Sequence, residues 1–251
     1  MKVSIITVVY NGAATLRSCI ESVLGQSHSD LEYIIVDGAS TDDTLAIARS
    51  FGPKIARLIS EPDRGIYDAM NKGIAAATGD VVGILNADDL YAHVDVIKHI
   101  ADALETQQTD AAYGDLVYVD RNDSRRIRRT WRAGVYREAA FLYGWMPPHP
   151  TFFVRREIYE RFGAFNPDLR SAADYELMLR LVHKHAIQLS YVPEILVLMR
   201  LGGLSNASLL NRLRANREDY RAWVINGLKP YFFTTLWKPL RKSLQFLNLA
   251  R

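Results

Sequence analysis

Strand-like and helix-like patterns alternate four times within the first 90 residues. Lys2 to Tyr10 is β-branched and largely apolar, which predicts a strand, and Asn11-Gly12 interrupts it. Ala13 to Gly25 places Leu16, Ile20, Val23 and Leu24 on one face of a helix. Glu32 to Val36 predicts a second strand, ending on Asp37-Gly38. Ser40 to Thr44 reads as the start of a helix that runs to Phe51, with a hydroxyl ahead of acids in the first turn and Gly52-Pro53 as its stop. Ile55 to Ile59 is a third strand and leads to Glu61-Pro62-Asp63-Arg64-Gly65. Ile66, Met70, Ile74 and Ala77 then share helical spacing, Gly79 punctuates, and Val81 to Leu85 forms a fourth strand. This alternation argues an α/β fold with a mostly parallel, doubly wound sheet and helices on both faces. Such sheets bind ligands beyond the carboxyl ends of their strands. Tyr10-Asn11, Asp37-Gly38, Asp63-Arg64 and Asn86 to Asp89 all fall at those ends, whereas chance would scatter polar residues over both.

The fourth strand runs directly into Asn86, Asp88 and Asp89. Hard oxygen ligands clustered at a sheet edge suit Mg²⁺ or Mn²⁺ held together with a phosphate-bearing substrate. An Asx-type turn closing the strand uses the same residue types, and the stretch alone leaves both readings open.

The chain has 251 residues, enough for one large α/β domain with an appendage. One cysteine, Cys19, excludes an intrachain disulfide and fits a reducing compartment; within its helix it reads as a small buried hydrophobe. The first residues enter a strand directly, so no signal peptide is expected, and no apolar run approaches the ~18–20 residues of a membrane span. Net charge is +3 but unevenly spread: residues 208–251 hold nine Lys or Arg against Glu218 and Asp219, a balance of +7 that leaves −4 on residues 1–207. A basic end on an acidic body points to an anionic surface as partner.

The second half is less regular. Val94 to Leu104 predicts a helix, Ala112 to Val119 a strand, and Arg121 to Arg132 an arginine-rich segment, read either as a solvated hairpin or as an anion-facing edge of the cleft. Trp145-Met146-Pro147-Pro148-His149-Pro150 must be a stiff loop, given three prolines. Thr151 to Val154 and Arg156 to Phe162 predict a strand and a short helix; Ser171 to Glu176 opens another helix. Ile187 to Val192 and Ile195 to Met199 read as two further strands, and Ser208 to Val224 as a helix with Tyr220 and Trp223 on one side. After Gly227, Tyr231, Phe232, Phe233, Trp237, Phe246 and Leu247 interleave with Lys229, Lys238, Arg241 and Lys242. That pattern suits an amphipathic segment at a membrane surface, with a core-packed helix as the alternative. No nucleic-acid-binding module accompanies the basic residues.

VSIITVVYNG, IIVDGASTDDT, EPDRGIYDAMNKGI, GDVVGILNADD and AADYELMLRL occur in this order. Together they resemble the family 2 glycosyltransferases of GT-A fold, over roughly residues 1–205, and in particular the bacterial enzymes of capsule, exopolysaccharide or lipopolysaccharide assembly. The resemblance implies a nucleotide-sugar-binding half at 1–110, an acceptor-binding half at 111–205 and a helical basic, aromatic extension at 206–251. It places Thr7, Tyr10, Asn11, Asp37 and Gly38 around the nucleotide, and Arg64, Asp68, Asn71 and Lys72 on the loop and helix that close over it. The family's metal motif, Asp-x-Asp, is matched by Asn86-Ala87-Asp88. Asp88 is then the principal ligand for Mn²⁺ or Mg²⁺, with Asp89 beside it. Asn86 lacks one formal charge, so weaker metal affinity is expected. Asp174, at the start of a late helix, matches the family's general base, although the acid that often precedes it is Ala173 here. Trp145 and His149 are candidate acceptor contacts.

A base opposite the leaving group implies inversion of the anomeric centre. The Gln-x-x-Arg-Trp signature of processive synthases is absent, so one sugar is expected per encounter. The expected partners are a nucleoside-diphosphate sugar, most simply a UDP-sugar, and a glycan or lipid-linked acceptor. The expected location is cytoplasmic, at the inner face of the membrane through residues 228–251. A nicotinamide dehydrogenase fails because Tyr10-Asn11-Gly12-Ala13-Ala14-Thr15 is not Gly-x-Gly-x-x-Gly. A non-catalytic glycan- or lipid-binding protein that retains the fold stays open, favoured by Asn86 and Ala173.

Overall fold

The computed structural model describes residues 1–202 and 209–234, the latter with side chains from 216 onward. Trp237, Lys238, Arg241, Lys242, Phe246 and Leu247 lie outside the described residues. The expected alternation is present as β1 (Val3–Val9), α1 (Ala13–Leu24), β2 (Leu31–Asp37), α2 (Thr44–Arg49), β3 (Arg57–Ser60), α3 (Ile66–Ala76) and β4 (Val81–Ile84). β1 pairs in parallel with β2 on one side and β4 on the other, and β2 pairs in parallel with β3. The strand order therefore reverses at β1, and the crevice between the ends of β1 and β4 is the topological switch point.

Both faces of these strands are covered. Ile6, Val8, Ile34 and Val36 pack beneath α3 and its neighbours, while Val3, Ile5, Val9, Tyr33 and Ile35 pack against α1 and its neighbours. α3 comes down onto β1 at Gly73, where a Cβ would collide with Ile6; the missing side chain sets the layer spacing. Glu32, at the start of β2, ties three segments together: it accepts from the Ser4 hydroxyl at 2.6 Å, the Thr78 N–H at 2.7 Å and the Lys2 ammonium at 3.3 Å. α2 departs from expectation. It begins at Thr44 and has no acid in its first turn. Asp42 precedes it instead and accepts from the N–H groups of Thr44 at 3.0 Å and Ala13 at 3.1 Å, so one carboxylate serves the starts of two helices.

The second half adds β5 (Leu90–Tyr91), α4 (Val96–Gln107), β6 (Ala111–Val119), β7 (Ile127–Trp131), β8 (Phe153–Arg155), α5 (Arg156–Phe162), α6 (Ala173–Met178), β9 (Leu189–Arg200) and α7 (Leu209–Ile225). The sheet runs β3-β2-β1-β4-β8-β6-β9-β5, with β7 paired to β6. β8 is antiparallel to β4 and β6, β9 is parallel to β6, and β5 is antiparallel to β9. The parallel half thus passes into a mixed extension that curls back towards Asp89. The two strands expected over 187–199 are one strand, β9. Its register on β6 jumps from Gly114↔Val192 to Asp115↔Ile195, which leaves Pro193 and Glu194 as a bulge where proline needs no ladder partner. α7 buries Asp219, Ala222, Trp223 and Asn226; Tyr220 is exposed, off the face that carries Trp223. Trp223 donates to the Tyr175 hydroxyl at 2.9 Å and Asn226 to Glu176 at 2.9 Å, so α7 packs on α6.

Candidate active site

The loops beyond β1 and β2 are knitted together. Asn11 has a φ of 49°, a left-handed conformation that asparagine tolerates. Its Oδ1 accepts from the Thr41 N–H at 2.9 Å, and its own N–H donates to the Ser40 hydroxyl at 2.8 Å. Tyr10 is 65% exposed. A Cβ on Gly38 would collide with the Asp63 carboxylate and lie 3.5 Å from the Tyr10 ring, so this glycine lets both approach the backbone. Asp37 is buried and accepts from the Ser60 hydroxyl at 2.6 Å and the Ser40 N–H at 3.2 Å. The loop after β3 is folded onto α3. Arg64 donates to Asp68 from its guanidinium at 2.9 Å and its N–H at 3.1 Å, and the guanidinium bond holds the Asp68 carboxyl below its ordinary range. Lys72 spans Glu61 at 2.9 Å and the Pro62 carbonyl at 2.8 Å.

At the end of β4, Asn86, Ala87, Asp88 and Asp89 form a turn across from Gly12, where a Cβ would lie 3.8 Å from that of Ala87. Asp89 is 1% exposed; its carboxylate accepts from the Arg200 N–H at 3.2 Å and the Asn86 amide at 3.3 Å. Burial, then the neighbouring Asp88 charge, pushes the Asp89 carboxyl well above the usual range. The Arg200 guanidinium, arriving on β9, donates to the Asp88 carbonyl at 2.8 Å and the Ser18 hydroxyl at 3.1 Å. The Asn86 Oδ1 is buried and has no partner. An acceptor left unsatisfied in this way carries a desolvation cost of about 1–3 kcal/mol. One orphaned amide oxygen and two neighbouring carboxyl groups are a hard-oxygen set, and they fit Mn²⁺ or Mg²⁺.

A second group of residues gathers around Asp174. Asp174 lies in the first turn of α6, partly exposed, and its Oδ1 accepts from the Tyr67 hydroxyl at 3.2 Å. Burial, then the Asp174 charge, pushes the Tyr67 phenol well above its ordinary value, so it stays a donor. Tyr67 stacks on Phe165 with centroids 5.5 Å apart, and the His149 ring meets Phe165 edge-on at 5.6 Å. The His149 Nε2 is buried without a partner; burial lowers the imidazole's proton affinity and the Asp174 charge partly restores it. Tyr118 of β6 has the Arg129 guanidinium carbon 3.7 Å from its ring centroid. Burial dominates the upward shift of the Tyr118 phenol, and both Asp89 and Asp174 add to it through their charges. The charges of Asp89 and Asp174 therefore both reach one side chain, Tyr118.

Three residues sit elsewhere than expected. Thr7 is wholly buried on the α1 side, where its hydroxyl accepts from Tyr33 at 3.0 Å; it does not line the cleft. Asn71 spends both ends of its amide on the Phe165 backbone, at 2.8 and 2.9 Å, and so holds the loop that carries Phe165 instead of a nucleotide. Trp145 is a core residue: its indole donates to the Ala133 carbonyl at 2.8 Å and its ring packs among Tyr113, Tyr136 and Phe141, leaving no face for a sugar. Sequence reasoning missed Arg200 and Tyr118. The arginine-rich segment was a usable signal for Arg129, since it forms the β6–β7 hairpin and brings that residue to the cleft.

A family model described as Glycosyl transferase family 2 matches residues 4–163. A PGL/p-HBAD biosynthesis glycosyltransferase of Mycobacterium bovis is 34% identical over 208 residues, covering 81% of this chain and 78% of that protein. An uncharacterized glycosyltransferase of Nostoc sp. is 32% identical over 177 residues, covering 66% of this chain and 55% of that protein. Among solved structures, S. aureus TarS in complex with UDP-GlcNAc superposes with a TM-score of 0.71 at 18% identity, over 99% of this chain and 72% of TarS. The mannosyltransferase PcManGT of Pyrobaculum calidifontis, in complex with GDP-Man and Mn²⁺, superposes with a TM-score of 0.67 at 22% identity, over 99% of this chain and 70% of that one. At these identities the likeness to both structures is one of fold.

Proposed function

The chain belongs to glycosyl transferase family 2 and has the GT-A fold, and from that premise we propose an inverting, non-processive transferase of surface-polysaccharide synthesis. It moves one sugar from a nucleoside-diphosphate sugar to a hydroxyl of a glycan or lipid-linked glycan. The observation that carries this reading is that Asp89 and Asp174, from distant parts of the chain, both act on Tyr118 through their charges. UDP is the proposed carrier, supported by the UDP-GlcNAc complex of TarS; the GDP-Man complex of PcManGT keeps the base as a question for the binding assay below.

Tyr10, Asn11, Asp37, Gly38 and the Arg64–Asp68 loop form the nucleotide end of the cleft. Asp88, with Asn86 Oδ1, would hold Mn²⁺ or Mg²⁺, and Asp89 holds the Asn86 amide and the Arg200 backbone beside them. The cation, when bound, offsets the negative charge that builds on the departing diphosphate. Asp174 takes the proton of the acceptor hydroxyl as its oxygen bonds to the anomeric carbon; the bond from that carbon to the phosphate oxygen breaks, and the nucleoside diphosphate leaves with the electron pair. Attack from the side opposite the leaving group inverts the centre. The Tyr67 hydroxyl fixes one oxygen of Asp174 and leaves the other for the acceptor. His149, whose charge state feels Asp174, is the proposed further contact to the acceptor.

Residues 1–110 act as the donor half, 111–205 as the acceptor half, and 206–251 as an extension whose α7 buttresses α6. No helix among the described residues is long and apolar enough to cross a membrane. We place the extension against the inner face of the membrane; Phe232, 92% exposed beside Tyr231 and Lys229, supports this. A thermal-shift screen of nucleoside diphosphates and their sugars, with and without Mn²⁺, tests the donor assignment, because a ligand of the folded state raises the melting temperature. NMR of the product tests the stereochemistry. An inverted anomer and a Mn²⁺-dependent shift with one UDP-sugar are expected; a retained anomer would refute the role of Asp174.

A further inference from the structure

We propose a second metal site, outside the sugar-transfer cleft, in which His93, His99 and Glu194 bind a zinc-type divalent ion. His99 Nδ1 lies 2.8 Å and His93 Nε2 3.5 Å from the same Glu194 oxygen, Oε2. One ligand atom from each residue falls within 4.8 Å of the other two. The two imidazole rings are neighbours, with centroids 5.6 Å apart and planes inclined at 51°. Two nitrogens and one carboxylate oxygen, all half-exposed, make a three-ligand set with a fourth position open to water, the pattern zinc accepts and Mg²⁺ does not favour.

The backbone explains how residues from distant parts of the chain converge. His93 lies in the short segment between β5 and α4, His99 is the fourth residue of α4, and Glu194 stands on the β9 bulge, where the break in register frees it from the ladder. The Ala92 N–H donates to the Leu196 carbonyl at 2.9 Å and pins the loop against β9. The ion would therefore clip α4, the β5 loop and β9 to one another. His93 Nδ1 accepts a long contact of 3.3 Å from the Asp95 N–H. Metal binding at Nε2 moves the ring proton to Nδ1 and releases that contact.

The same β5–β9 ladder connects this site to the transfer cleft. Asp88 and Asp89 precede β5, and Arg200 ends β9. Glu194 and Arg200 are six residues apart on β9, roughly 20 Å at strand rise, too far for one ion to serve both ends. The clip holds the far end of the ladder whose near end positions Asp88.

Calorimetric titration of the full chain with ZnCl₂ in excess Mg²⁺ tests the site. One zinc per chain is expected, with a rise in melting temperature. His99→Ala and the isosteric Glu194→Gln should each weaken binding at least about tenfold, the loss of one ligand. Asp88→Asn should leave zinc binding unchanged. The proposal is overturned if wild type shows no zinc-dependent shift, if both ligand variants bind as wild type does, or if Asp88→Asn abolishes the binding.

Discussion

The two carboxylate clusters of the cleft are built on opposite principles. Asp89 is sealed beneath the sheet edge, held by Asn86 and by the backbone of Arg200, while Arg200 also grips the Asp88 carbonyl and Ser18. Asp174 sits in the first turn of a six-residue helix, partly exposed, and a single phenol holds it. A diphosphate and its cation demand a fixed frame, because misplacing them by an ångström is costly in rate. A base that must admit successive acceptors needs an open side. Under the proposed function, the donor end is therefore preorganised and the acceptor end left accessible.

Four substitutions probe this contrast, from the largest effect to the smallest. Asp88→Asn should lower transfer on the order of 10³-fold and abolish the response to Mn²⁺, since cation stabilisation is worth several kcal/mol. Steady-state rates across a Mn²⁺ series measure it. Arg200→Ala, which touches Asp88 only through its carbonyl, should cost on the order of 10²-fold in kcat through loss of alignment. If its activity matches wild type, the frame at the donor end does not need β9. Tyr67→Phe removes one hydrogen bond to Asp174 and should cost about tenfold in kcat with donor affinity unchanged.

The smallest effect concerns stability. At Glu32, burial opposes the charge, but hydrogen bonds from Ser4, Thr78 and Lys2 outweigh it and bring the carboxyl down to about 2. A folded-state pKa below the unfolded value of about 4.3 means the stabilisation is complete above that pH and is lost as pH falls through about 2. Glu32→Gln should thus cost roughly 2–3 kcal/mol in urea unfolding at pH 7. The gap from wild type should close as the pH approaches 2–3. A gap that is constant with pH would show that Glu32 acts through packing alone.

The same contrast governs what could be read from the chain alone. The fold of the first half announced itself because period, turn residues and strand ends agreed from residue 3 to residue 89. The side chains of β1 were harder: a strand buried on both faces carries no alternation, so nothing local separates Thr7 from a cleft residue. Trp145 misled for a different reason. Its proline-rich loop reads as stiff and offers the ring to an acceptor, but its indole partner, the Ala133 carbonyl, is fixed only by tertiary packing. Arg200 was beyond reach because its contact with Asp88 spans 112 residues and depends on β9 being one bulged strand. Asp174 was legible through its motif, whereas the Tyr67 bond that orients it, 107 residues away in sequence, was not.

The central claim is that donor binding and proton removal are divided between the two ends of one cleft. Donor-sugar affinity and single-turnover transfer, measured side by side in wild type and Asp174→Asn, test it directly. The account predicts an unchanged, Mn²⁺-dependent donor affinity in Asp174→Asn with transfer slowed about 10³-fold, the usual worth of a positioned base. Transfer at the wild-type rate, or donor affinity lost together with it, would contradict that division.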